Sequence, residues 1–171
     1  LLFLIGGNGI GYFYQHKEWE SLISIIKDIY KKTSLPITIV TSRRSDPEVE
    51  KKMQSWLQEV PHEYSLWFHK GVKDYSLAAL FGSAKSIFVT EDSAMMISES
   101  ICSGKPVTTL FPSTIKSPER YKSLIKKYLD YEFITRESIE DFSIKEIESS
   151  SDIIKKHISK LCDQLEERIL W

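Results

Sequence analysis

Cysteine is scarce: Cys102 and Cys162 are the only two in 171 residues, and they lie far apart. No CxxC pair or Cys/His spacing marks a metal site, and a disulfide framework would use more cysteines. A reducing, cytoplasmic setting fits that usage. Neither sign of charge dominates, since the formal net charge is −1. Composition therefore gives no reason to invoke nucleic acid or an anionic membrane as a general partner. No apolar run approaches the roughly 20 residues of a membrane span, so no transmembrane segment is expected. Nucleophile-elbow, HExxH, Walker and EF-hand patterns are all missing. There is no internal repeat, and the only low-complexity tract is Ser149-Ser150-Ser151. The chain also lacks an initiator Met. Leu1–Ile5 is too short for a signal peptide and has no basic leader. The expectation is a fragment, cut just upstream of a domain's first strand.

What is present is an ordinary globular composition, 42% hydrophobic and 27% charged, long enough for one domain with a sizeable core. Leu1–Ile5 reads as a strand buried on both faces. Helical spacing of Trp19, Leu22, Ile23, Ile26, Ile29 and Tyr30 predicts a helix over about 17–32. Ile37–Thr41 is a second strand. Asp46-Pro47 opens a second helix, Asp as cap and Pro at its first position. Strands follow at Tyr64–Phe68, Ser86–Thr90 and Pro106–Phe111, with a short sixth at Tyr131–Thr135. Helices are expected at Tyr75–Phe81, Ala94–Ser103 (closed by Gly104) and Pro118–Tyr128. Residues 138–151 read as a polar surface connection, and the spacing of Ile153, Ile154, Ile158, Leu161, Leu165 and Ile169 predicts a final helix over about 152–170. Strands alternating with helices imply one Rossmann-like α/β/α domain over 1–171, with a mostly parallel six-stranded sheet in three layers.

Ligands of such sheets sit beyond the carboxyl ends of the strands. Four strand ends carry candidate chemistry. Gly6-Gly7-Asn8-Gly9-Ile10-Gly11 can bring backbone N–H groups close to a phosphate, with the next helix adding its positive end; the alternative is a flexible turn. Ser42-Arg43-Arg44 offers planar forks for phosphate or carboxylate, or simply solvated arginines. Thr90-Glu91-Asp92-Ser93 leads into a helix that Ser93 can cap and that carries Glu99. Glu99 could accept bonds from ribose hydroxyls, or pair with a nearby cation. Phe68-His69-Lys70-Gly71 could seat a base, but His69 is given no role. Met95 and Met96 are expected to pack.

Leu4-Ile5-Gly6-Gly7, Thr41-Ser42-Arg43-Arg44-Ser45, and Val89 through Glu99 closed by Gly104-Lys105-Pro106-Val107 resemble one family in the same order. It is the family of bacterial relatives of the plant "elongated mitochondria" fission factor. The likeness spans most of Leu1 to Phe111. Ser45-Asp46-Pro47 replaces the family's Thr-Pro, Met95 its usual Ser, and Ser100 its Ala. That family is in turn similar to GT-B glycosyltransferases, among them the transferase that adds N-acetylglucosamine during lipid II synthesis.

The resemblance implies a GT-B carboxyl-terminal domain that holds a nucleoside-diphosphate sugar, UDP-linked by analogy, with no other cofactor. Gly6, Gly7, Asn8 and Gly9 would face the diphosphate with the start of the Ser93 helix. Ser42, Arg43, Arg44, Thr90, Glu91 and Asp92 would complete the site, and Glu99 falls on the glutamate that binds the ribose. The acceptor and the catalytic base would belong to an absent amino-terminal domain, so this chain would bind without turnover. The final helix would cross toward that domain. Peripheral attachment of the full-length protein to the inner membrane stays open. Three readings follow: a glycosyltransferase half, a non-catalytic interaction module, or a GT-B type nucleotide-sugar epimerase.

Overall fold

A computed structural model describes residues 1–58, 64–67, 76–142 and 159. Strand β1 (Leu2–Ile5) is apolar throughout and buried throughout. The reason is its position, since it pairs in parallel with a strand on each side. After a short strand β2 (Tyr12–Phe13), helix α1 (His16–Thr33) buries Trp19, Leu22, Ile26 and Ile29 at helical spacing. It stops at Ser34, which takes the left-handed conformation (φ 52°) and donates its amide to the Tyr30 carbonyl.

Strand β3 (Thr38–Thr41) precedes α2 (Pro47–Gln58), where Asp46 Oδ1 accepts the Glu48 amide at 2.7 Å, as expected of a cap. Next come β4 (Tyr64–Leu66), α3 (Leu77–Ser83), β5 (Ile87–Thr90) and α4 (Ala94–Cys102). Gly104 follows α4 with φ 69°, the left-handed turn anticipated for it. The described chain ends with β6 (Val107–Phe111), β7 (Thr114–Ile115), α5 (Glu119–Asp130) and β8 (Thr135–Ser138).

The main sheet runs β4-β3-β1-β5-β6-β8, and every pairing in it is parallel. Counting only its own strands, that is the order 3-2-1-4-5-6 of dinucleotide-binding folds. The order in which the chain adds strands reverses between β1 and β5, and the crevice beyond their carboxyl ends is the topological switch point. Phe3 and Phe88 are register partners on those two strands, with rings stacked at 4.7 Å. The fold is Rossmann-like α/β, a parallel sheet flanked by helices.

Two expectations change. The last strand lies at Thr135–Ser138, not Tyr131–Thr135. Residues 131–133 are used to close α5: Glu132 has φ 56°, and the Phe133 amide returns to the Tyr128 carbonyl at 2.9 Å. Ser138 therefore belongs to a strand rather than to the polar connection. The second change is a small antiparallel ribbon of β2 and β7, whose two-residue strands carry no periodicity to read. Apart from Ser159, which is helical, the final helix lies outside the described residues, as does the His69 loop.

Candidate functional site

The loops after β1, β3 and β5 meet at the switch point. The Gly6 amide donates to Thr90 Oγ1 at 2.7 Å, joining the first and third loops. Ser45 Oγ donates to the Ile5 carbonyl at 2.8 Å, joining the second to the first. Gly6 and Gly7 are buried under these neighbours. A β-carbon at Gly6 would overlap the Asp92 carboxylate, and one at Gly7 would overlap the Arg44 carbonyl oxygen. At Gly9 it would sit 2.9 Å from Arg44 Nη1. The glycines are thus required for close approach, with the chain's own Asp92 and Arg44 as the groups that approach.

The rest of the glycine segment is a hairpin. Gly9 and Tyr12 exchange backbone hydrogen bonds of 3.2 and 2.9 Å across Ile10 (φ 52°) and Gly11 (φ 83°). Positive φ at both central residues is the type I′ requirement. Asn8, exposed, uses Oδ1 to accept the Tyr14 amide at 2.7 Å. The next helix does not add an open positive end to this loop. Helix α1 starts only at His16, and buried Glu18 closes its entrance by accepting the Gln15 amide at 2.6 Å and the Ser113 amide.

Asp92 is fully buried and Arg44 is a third exposed, with Nη2 2.9 Å from Oδ2. Neither Asp92 oxygen completes a well-aligned hydrogen bond. Burial raises its pKa above the usual carboxylate range, against the Thr90 hydroxyl, the Arg44 charge and the Gly7 amide, which pull it down. Arg43 is exposed and makes no hydrogen bond or ion pair to the described residues. Ser42 shapes its loop, its Oγ accepting the Arg44 amide at 3.2 Å and its own amide donating to Ser45 Oγ at 2.9 Å.

Ser93 caps α4, its Oγ accepting the Met96 amide at 3.4 Å. Along α4, Met95, Glu99 and Cys102 share the exposed face. Glu99 has no side-chain partner among the described residues, so it is available to a ligand. Met96 packs against the core as expected, but Met95 does not: it is 71% exposed, because its position one turn before Glu99 faces away from the sheet.

Glu91 is committed inside the protein. Arg136 grips it with two bonds, Nε to Oε2 at 2.7 Å and Nη2 to Oε1 at 2.8 Å. The Tyr12 hydroxyl donates to Oε1 at 2.6 Å and Thr109 Oγ1 to Oε2 at 3.1 Å. Burial, then the bond to Glu91, raises the Tyr12 pKa. Sequence reasoning passes over Tyr12 and Arg136. The available signal is Glu91 itself, since an acid directly after the buried strand Ile87–Thr90 needs a cation if it is to be buried too.

Among the described residues no group of His, Cys, Asp and Glu could hold a metal ion, and no helix is long and apolar enough to cross a membrane. Comparison with curated proteins gives no match. The sequence model of a family described as "Mitochondrial fission ELM1" matches residues 1–152. The chain belongs to that family. In this ELM1-family chain the three stretches that carried the resemblance include the segments that interlock at the switch point: Gly6-Gly7 after β1, Ser42 to Ser45 after β3, and Thr90 to Ser93 at the end of β5.

Proposed function

We propose that this ELM1-family domain binds the nucleoside-diphosphate part of a nucleotide sugar at the switch point, as the donor side of a GT-B type glycosyltransferase with the three-layer carboxyl-terminal fold of that class. The observation that carries the reading is the dinucleotide-fold strand order with the family's three stretches gathered at its crevice. Arg43, exposed and unpaired among the described residues, can meet a phosphate, and Arg44 keeps part of its fork toward solvent beside Gly9. The α4 start adds its positive end, and Glu99, without a side-chain partner among the described residues, suits the ribose hydroxyls. A UDP-linked donor is the first to test. Turnover would need a second domain supplying the acceptor site and base.

One observation favours an alternative. The Gly6 amide is already used by Thr90, and Gly6 and Gly7 are covered by Asp92 and Arg44. A loop built that way also suits a non-catalytic interaction module that has kept the fold.

Calorimetric titration with UDP, GDP and UDP-N-acetylglucosamine separates the two. Micromolar to low-millimolar binding, weakened by about 1.5–3 kcal/mol in Glu99→Ala, is expected of the donor site. Binding that Glu99→Ala leaves unchanged removes the ribose assignment. No binding by any nucleotide, in this chain or in a longer protein containing it, would favour the interaction module.

A further inference from the structure

A second recess lies beside the Glu91–Arg136 pair, with a volume of about 360 Å³, within the range of small-molecule sites. Its polar lining is Tyr12, Glu91, Ser117, Lys122, Lys126 and Arg136, and α5 adds apolar wall through Ile125 and Leu129.

Several observations define its chemistry. Ser117 is 4% exposed, and its Oγ, beside the Tyr12 hydroxyl, has no hydrogen-bond partner of sound geometry among the described residues. A hydroxyl has one donor and two acceptor positions, so Ser117 Oγ keeps capacity to donate to an anionic oxygen in the recess. Arg136 is held rigidly. Two bonds to Glu91 fix one edge of the guanidinium, and the Phe111 ring lies 3.9 Å from Cζ. Nη1 carries no hydrogen bond among the described residues, which leaves a fixed fork with unused N–H groups.

Lys122 and Lys126 stand one turn apart on α5, and among the described residues they pair only with Glu119 and Asp130 of the same helix. Those acids are 85% and 58% exposed. Pairs so exposed are weak, and a lysine stem can turn from them to a ligand. The carboxylate in the lining, Glu91, is already compensated by Arg136, Tyr12 and Thr109.

We propose that this recess is an anion site for the phosphate or carboxylate group of a small molecule. Arg136 Nη1, Ser117 Oγ and the two lysine ammonium groups hold the anionic oxygens, while Ile125 and Leu129 meet the apolar part of the ligand. It does not depend on the nucleotide reading, because Arg43, Arg44, Ser93 and Glu99 take no part in it.

Amide chemical-shift mapping on the ¹⁵N-labelled chain tests the site. Inorganic phosphate and acetate are titrated separately at constant ionic strength, with chloride as reference. Saturable shifts at Ser117, Lys122 and Arg136 are expected, and the tighter ion tells a phosphate-bearing ligand from a carboxylate-bearing one. The Lys122→Gln/Lys126→Gln double variant, whose exposed positions do not endanger folding, should weaken binding at least about tenfold. Ser117→Ala should weaken it about threefold or more, and Glu99→Ala should leave it unchanged. Absence of saturation with both ions would overturn the proposal. So would saturation that persists undiminished in the double lysine variant.

Discussion

The carboxylate of Asp92 lies against the bare Cα of Gly6, so close that a β-carbon there would overlap both of its oxygens. The Gly7 neighbour is different in kind, because it is the backbone carbonyl of Arg44. A side-chain terminus can rotate away, whereas a backbone carbonyl drags its whole loop. Gly7→Ala should therefore destabilise more than Gly6→Ala. Overpacking of this sort costs about 1–3 kcal/mol, occasionally more. Urea unfolding of the two variants gives the order directly. A Gly6→Ala loss as large as that of Gly7→Ala would mean that Asp92 is as immobile as backbone.

Asp92 also gives stability a pH dependence of unusual sign. Its folded pKa is raised above 3.8 by burial, so between the two values the folded state holds more protons than the unfolded one. Stability contributed by this group is then greatest at low pH and declines as pH rises from about 3.8 through the folded pKa. Most salt-bridged aspartates do the opposite. Asp92→Asn removes the titration at nearly constant shape. The stability of wild type relative to Asp92→Asn should fall with rising pH across that window and then level off. Denaturant curves at several pH values measure it, and a difference that rose instead would show that Arg44 outweighs burial.

Glu91 and Arg136 form the best-connected ion pair of the site, with the carboxylate fully buried and the guanidinium side chain 29% exposed. Arg136→Met strands a buried charge, and breaking such a pair costs about 3–5 kcal/mol. The lower end is expected because Arg136 retains contact with water. Adding Glu91→Gln should recover much of the loss, since the neutral amide keeps Tyr12 and Thr109 as neighbours without an unpaired charge. Unfolding of the two single variants and the double variant forms a cycle, and additive losses would deny the coupling.

The sheet is legible in the sequence because its strands are buried. Leu2–Ile5 and Ile87–Val89 are short apolar runs followed within two residues by glycine or acid, and helical periods alternate with the strands between them. The last strand is misplaced because Tyr131 and Phe133 look like strand formers. Their stacked rings instead belong to the turn that ends α5, while the polar Thr135–Ser138 pairs with β6. At the site, the segments are legible but the partnerships are not. Which of two adjacent acids faces the glycine loop follows from alternation along the chain: Asp92 turns to Gly6, and Glu91 turns to Arg136, 45 residues away. Only the assembled sheet brings that arginine near. The exposed Met95 is misread because its apolar side chain was weighed by itself, whereas Glu99 one turn further on marks that face of α4 as the one turned to solvent.

At Ile10 local chemistry and backbone disagree: of the positive-φ non-glycine residues described, Ile10, Ser34 and Glu132, it alone is β-branched. It is β-branched, 44% exposed, and holds φ 52° at the first central position of the hairpin turn. Left-handed backbone costs an L-residue about 1–2 kcal/mol, and Asn before Gly is the preferred pair for this turn. Ile10→Asn should remove most of that strain and lose little burial. The expected gain is about 1 kcal/mol, or about 2–4 °C in Tm for a domain of this size. Calorimetric melting reads it. A lower Tm in the variant would mean that the exposed isoleucine earns its conformation through contacts stronger than the strain, and the hairpin tip would then be a packed element rather than a turn held under tension.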